Sequence, residues 1–193
     1  MNKVFFALEW NTGFLDGNSF DEIIEIGAVK TDEEYRQIDG FRRLIRPVIY
    51  RKMNPYIQKI LAITMKDLQG EEPLAAVAKV FFDWCGDCDT LIAWSGNDFG
   101  VLEKNLAHIG MKIPEQLVRY DVQMAYAYRT ENSIRNYALK TAVEAMELPE
   151  PEGQEYHDAY CDAQFTAAIG RALTERYGPL PAVEELQALK NTL

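Results

Sequence analysis

Four side chains in this sequence are of the types, and in the places, that could do hydrolytic chemistry. Glu9 closes the apolar, aromatic run Lys3-Val4-Phe5-Phe6-Ala7-Leu8-Glu9-Trp10. In a strand, residues two apart share a face, so Ala7 and Glu9 project together and Leu8 points away. An acid there costs free energy unless it is paired, hydrated or bound to a cation, and strand ends that face a cleft are where α/β enzymes place their chemistry. A strand-end carboxylate standing in water would explain Glu9 as well. Asp98 repeats the arrangement, following Thr90-Leu91-Ile92-Ala93-Trp94 through Ser95-Gly96-Asn97 to the start of a helical pattern. Helix capping alone would account for it, but a strand lying beside the first would carry Asp98 toward Glu9. His157 precedes Asp162 by five residues at the entry to a long helical pattern. Imidazole changes charge near neutral pH and suits the removal of a proton from water. That spacing is weak by itself and gains weight from the acids around it. His108, in Leu106-Ala107-His108-Ile109, has no such acid pattern and reads as structural.

Trp84-Cys85-Gly86-Asp87-Cys88 is a competing signal, since a Cys-x-x-Cys pair can carry thiol redox chemistry. Redox motifs of the thioredoxin type follow a strand and open a helix, whereas here a helical pattern precedes and a strand follows. Two clustered cysteines with Cys161 remote are also too few ligands for zinc.

The elements that must position these residues come from periodicity. Lys3–Trp10 reads as a buried first strand ended by the turn signal Asn11-Thr12-Gly13, Ile23–Lys30 as a second strand, and Phe41–Val48 as a third, giving a meander. Helices are predicted over Met53–Ile63, Pro73–Trp84, Phe99–Ile109, Asp121–Tyr128, Ile134–Met146, Asp158–Tyr177 and Ala182–Leu189. Further strands are predicted at Thr90–Trp94 and Leu117–Asp121. A meander followed by alternating helices and strands predicts one α/β sandwich around a mixed five-stranded sheet flanked by helices. Leu148–Gly153 reads as a loop before the final helices.

The 193 residues, 48% hydrophobic and 26% charged, match a single domain spanning 1–193 that needs no disulfide to fold. No apolar run approaches ~20 residues, and no cleavage signal follows Met1, so the expectation is a cytoplasmic protein off the membrane. Three cysteines form no even-numbered framework. A net charge of −10 excludes bulk attraction to nucleic acid or anionic membrane as the main source of affinity. Any nucleic-acid role must rest on local features: carboxylates holding divalent metal, or the basic run Arg42, Arg43, Arg46, Arg51, Lys52, which reads equally as a solvated strand edge.

Taken together, the motifs resemble those of the DEDDh 3′–5′ exonucleases, the superfamily of RNase T and polymerase proofreading subunits. The first motif, a hydrophobic strand ending in Asp-x-Glu, is similar to Phe6-Ala7-Leu8-Glu9-Trp10-Asn11, with the companion strand at Glu22–Lys30. The second motif falls on Asp98 in Ser95-Gly96-Asn97-Asp98-Phe99. The third, His-x4-Asp, falls on His157 and Asp162. The resemblance implies an RNase H-like fold and two divalent metal ions, Mg2+ or Mn2+. Glu9, Asp98 and Asp162 would be metal ligands and His157 the general base that activates water. Two metals ~4 Å apart clamp the attacking and leaving oxygens of a phosphodiester, and hard cations take oxygen ligands. Leu8, Trp10, Phe14 and Asn97 are candidates to line the substrate groove, Trp10 by stacking on a base. Asp121 is assigned a structural role.

One position departs from the family pattern: its first carboxylate falls on Ala7, whose methyl group binds no metal. Hydrolysis should be severely slowed. Either an engineered substitution that traps substrate or a natural inactive relative would explain Ala7. The first is preferred, because an inactive chain has no physical reason to keep four partly buried polar groups. The leading expectation is a metal-dependent 3′–5′ exonuclease acting on single-stranded or frayed DNA or RNA and releasing nucleoside monophosphates, here impaired. The alternatives are a non-catalytic 3′-end-binding module of a larger nucleic-acid-processing complex and, remotely, a thiol oxidoreductase through Cys85 and Cys88. The partner in the first two cases is nucleic acid with a free 3′ end.

Overall fold

A computed structural model describes residues 2–149 and 156–190. The predicted loop over Leu148–Gly153 lies, from 150 onward, outside the described residues. The chain runs β1 (Lys3–Leu15), β2 (Asn18–Thr31), β3 (Gln37–Leu44), α1 (Ile57–Ile60), α2 (Met65–Leu68), α3 (Leu74–Cys85) and β4 (Thr90–Ala93). It continues through α4 (Gly96–His108), β5 (Val118–Asp121), α5 (Val122–Glu131), α6 (Leu139–Ala145), α7 (Ala159–Tyr177) and α8 (Val183–Lys190). The strands form one mixed sheet in the order β3-β2-β1-β4-β5; β1 to β3 are an antiparallel meander, and β4 and β5 add in parallel. The expected architecture is present.

Alternation along β1 divides the molecule into two apolar layers. Val4, Phe6 and Leu8 join the cluster under α3 and α4, with Phe81, Leu102 and Leu106. Phe5 joins the opposite cluster under α5 to α7, with Phe165, Ile169 and Leu173. Ala7 shares that second face and packs on Ala159 and Ala163 of α7. The start of α7 lies almost on the sheet. A Cβ on Gly27, the register partner of Ala7, would sit 2.1 Å from the Tyr160 backbone nitrogen. Glycine is required there for close approach, and that approach brings His157 and Asp162 over β1.

Several predicted boundaries are corrected. Asn11-Thr12-Gly13 is not a turn: β1 continues to Leu15, past a register irregularity at Glu9/Trp10, and pairs with Asn18–Ile23 in a projecting arm. The turn is Asp16-Gly17, both at positive φ, a dipeptide suited to a two-residue hairpin. Asn11 is buried and pins the following segment, its amide donating to Lys52 O (3.0 Å) and its oxygen accepting from Asn54 N (2.8 Å). β3 begins four residues before the predicted Phe41. The helix expected over Met53–Ile63 is only Ile57–Ile60, because Leu61 turns extended and a second short helix starts at Thr64, where Asp67 closes a capping box. The helix expected over Ile134–Met146 begins only at Leu139. α4 starts at Gly96 rather than Phe99, because Ser95 is its cap.

Candidate active site

Beside the middle of β1 and just past the carboxyl end of β4 lies a cavity of about 290 Å³. It is bordered by Glu9, Asp98, Asp162 and His157, with Ala7 among them. Residues from β1, α4, the loop before α7 and α7 itself therefore meet in one place, although up to 153 positions separate them in the chain (162 − 9). Each acid is delivered by a distinct local device. Glu9 is carried on β1 and is 9% exposed. Asp98 is not the helix cap that its position suggested. Ser95 takes that role, its Oγ accepting from Asn97 N at 3.3 Å, which leaves Asp98 in the first turn to receive the backbone N–H of Leu8. Asp162 lies one turn into α7, which Asp158 caps by accepting from Cys161 N at 3.0 Å.

Burial and repulsion from neighbouring acids raise the carboxyls of all three acids. Loss of hydration, and then repulsion from Asp162, push the Glu9 carboxyl up to about 9. Loss of hydration also pushes Asp98 up to about 7, against the lowering effect of the Leu8 N–H. Asp162 likewise rises to about 7, with Asp98 as its chief repelling neighbour. Asp162 Oδ1 is buried with no hydrogen-bond partner, an acceptor that a cation or water would satisfy. These donors suit a hard divalent cation in kind, and the orphaned oxygen marks a place for one. They fall short in number: among the described residues no three acidic, histidine or cysteine side chains converge closely enough to make a ready cage. Ala7 presents only a methyl to the same cavity.

The rest of the cavity is apolar, bordered by Trp10, Ile57, Ile60, Leu61, Trp94 and Leu139. The α1 segment reaches this rim because Glu22, buried at the base of the arm, accepts the N–H groups of Val48, Ile49 and Tyr50 at 2.6 to 2.8 Å. Of the four predicted groove residues, Trp10 borders the cavity. Leu8 does so too, although its side chain belongs to the α3/α4 core, and its N–H serves Asp98. Phe14 does not: it is 78% exposed on the projecting arm. Asn97 does not either; it faces a neighbouring recess with Gln123, Asn136 and Lys190. Phe14 lies on the β1–β2 arm and Asn97 in the first turn of α4, which keeps both off the cavity rim. Sequence reasoning missed Trp94 and the α1 rim. Trp94 had a signal, as the last apolar residue before the Asp98 loop; the rim had none.

Asp121 has the structural role expected of it, accepting from Met124 N at 3.0 Å to cap α5 and from Gly96 N at 2.9 Å to hold α4. His108 packs against the Phe20 ring, 5.6 Å between centroids. In the basic run, Arg46 donates to Glu71 O and Arg43 to Arg42 O, so these two serve the local backbone. Cys85 and Cys88 are buried at the α3–β4 turn, and burial pushes the Cys85 thiol up to about 12. A protonated, enclosed thiol is a poor redox nucleophile. No described helix is long and apolar enough to cross a membrane.

Comparison with known proteins gives the family and the fold. Residues 12–169 match the model of the RNase T family, described as exonuclease, a span that holds Asp98, His157 and Asp162 and begins just after Glu9. A PolC-type DNA polymerase III of Clostridium perfringens is 28% identical over 169 residues, 86% of this chain. The chain spans only 11% of that polymerase. Among solved structures, cell-death related nuclease 4 superposes with TM-score 0.79 at 14% identity, over 91% of this chain and 64% of that one. The nuclease domain of 3′hExo, a DEDDh family member bound to rAMP, gives 0.78 at 16% over 93% and 95%. Escherichia coli exonuclease I with a dA16 oligonucleotide gives 0.69 at 18% over 91% and 41%. At these identities the likeness establishes the RNase H-like exonuclease fold.

Proposed function

The chain belongs to the RNase T exonuclease family, and from that membership we propose that it is a 3′–5′ exonuclease domain whose hydrolytic centre is the Glu9, Asp98, Asp162 and His157 cavity. The observation that carries the reading is the convergence of these four side chains, from four separate segments, on one cavity. The substrate is the 3′ end of single-stranded or frayed nucleic acid. Trp10, Trp94 and the α1 rim offer an apolar seat for a terminal base, and stacking on such a ring tolerates any base.

Glu9, Asp98 and Asp162 would hold divalent cations, Mg2+ or Mn2+, which supply charge to offset that developing on the phosphate. His157 takes a proton from the attacking water. The new bond joins that oxygen to phosphorus, and the bond from phosphorus to the 3′ oxygen of the penultimate nucleotide breaks, that oxygen taking a proton from solvent. The products are a nucleoside 5′-monophosphate and a shortened strand with a new 3′-hydroxyl. With a methyl at position 7 the chain is impaired in this reaction.

The decisive experiment restores the carboxylate. Ala7→Asp with Mn2+ should shorten a 3′-hydroxyl oligonucleotide one nucleotide at a time, and a 3′-blocked oligonucleotide should resist; equal background from both chains would sink the proposal. Ala7 itself, seated on Ala159 and Ala163, favours a second reading. On that reading the chain binds 3′ ends without cutting them, within a larger nucleic-acid-processing assembly. Reversion would then leave activity at background while end-dependent binding persists.

A further inference from the structure

His157 stands on a backbone that other parts of the chain must hold. Its φ is +71°, in the left-handed region that residues with a Cβ rarely adopt, and its own N–H is turned onto the Asp162 carboxylate. The next residue, Asp158, divides its carboxylate. Oδ1 accepts from Cys161 N to cap α7, and Oδ2 accepts from Arg42 Nη2 on β3. Arg42 also donates through Nε to Glu25 Oε1 at 2.7 Å, and Glu25 Oε2 accepts from Ala159 N at 3.4 Å. Glu25 is wholly buried on β2, directly opposite Glu9 in the register.

We propose that Arg42 is a positioning residue for His157: with Glu25 and Asp158 it forms a three-membered ion cluster that joins β2, β3 and the start of α7 and so sets where the imidazole stands. The proposal rests on the exonuclease reading for its functional meaning. Gly27 and Gly40 let Ala159 and Tyr160 close onto the sheet, which fixes the helix from residue 159 onward. Within this cluster, the Arg42 link is the one that reaches residue 158, whose Cα is ~3.8 Å from that of His157. The planar guanidinium serves two acids at a fixed angle, which a lysine ammonium does not. A buried carboxylate such as Glu25, with one cationic partner, is expensive to leave unpaired, so removing Arg42 disturbs the whole cluster. Arg42 also borders a recess of about 560 Å³ on the far side of His157, but two carboxylates already hold its charge and leave little for a substrate phosphate.

The test uses the full chain carrying Ala7→Asp, loaded with Mn2+. Adding Arg42→Gln should lower kcat by about 10- to 100-fold, the scale of a small misplacement of a reacting group. KM for a 3′-hydroxyl oligonucleotide should stay within about twofold, and amide exchange at residues 158–161 should quicken at least about tenfold. Should Arg42→Gln fail to fold, Asp158→Asn decides, because asparagine still caps α7 but breaks the ionic link; the same pattern is expected, more weakly. The proposal is overturned if kcat changes less than about twofold, if KM carries the loss and makes Arg42 a substrate contact, or if amide exchange at 158–161 is unchanged. Were the Ala7→Asp parent itself inactive, the exonuclease reading would fall. Amide exchange would then judge the positioning claim alone, faster exchange upholding it and unchanged exchange ending it.

Discussion

Glu9 and Glu25 face one another directly across the β1–β2 pair, two acids opposite each other in neighbouring strands. Like charges so placed repel, and the molecule resolves the conflict unevenly. Glu25 has Arg42 at 2.7 Å, which lowers its carboxyl against the raising effect of burial. Glu9, raised by burial first, then by Asp162 and then by Glu25, is pushed up to about 9.

That asymmetry gives stability a pH dependence of known sign. The folded chain binds the Glu9 proton more tightly than the unfolded chain does, so the favourable contribution is full below the ordinary value of 4.5 and is lost as pH rises toward about 9. Asp98 and Asp162, both raised to about 7, act in the same direction over a narrower window. In EDTA, thermal unfolding should show a lower Tm at pH 8 than at pH 5. Glu9→Gln should raise Tm by roughly 3–8 °C at pH 8 and by much less at pH 5. An equal effect at both pH values would refute the assignment.

Adding a fourth acid should help metal and hurt the apo protein. Ala7→Asp is expected to lower Tm in EDTA, through repulsion within the cluster, and to raise it with millimolar Mn2+ by more than the parent gains. A ligand present at about 100 times its Kd contributes about 2.7 kcal/mol. Calorimetric titration with Mn2+ checks the same point independently of any activity.

The aromatic seat separates Trp10 from Phe14. Trp10→Ala should weaken binding of a short 3′-hydroxyl oligonucleotide by about 1–3 kcal/mol, the usual loss of one stacked base. Phe14→Ala, on the exposed arm, should leave affinity unchanged. Fluorescence anisotropy in EDTA reads both without turnover.

Close packing of α7 on the sheet is testable at two glycines. Gly27→Ala places a methyl 2.1 Å from backbone, and should cost about 3 kcal/mol or more in urea unfolding, at the upper end of overpacking penalties. Gly100→Ala, within α4 with open space around it, should instead stabilise by about 0.5–1 kcal/mol. Similar values for the two would contradict the described approach of helix and sheet.

The α/β layering, the five strands and the order of the catalytic candidates were legible in the chain, because apolar period and residue chemistry are local properties. Lys3–Trp10 announces a buried strand wherever it is placed, and Asp158 announces a helix start whatever lies nearby. Local signals failed where two of them competed. Asn11-Thr12-Gly13 looked like a turn, yet pairing with Asn18–Ile23 extends the strand, and the stronger Asp16-Gly17 signal lay just beyond it. Asp98 looked like a cap until Ser95 proved to hold that place.

Other features belong to the tertiary structure alone. That Ile57, Ile60 and Leu61 reach the cavity depends on Glu22 and Asn11 gripping the chain dozens of residues away. That Arg42 anchors the residue after His157 depends on β3 lying next to β2 beneath α7. Side-chain identity states which interactions a residue can make. Which partner it meets is decided only when distant segments are packed, because contact energies fall off within a few ångströms and carry no information along the chain.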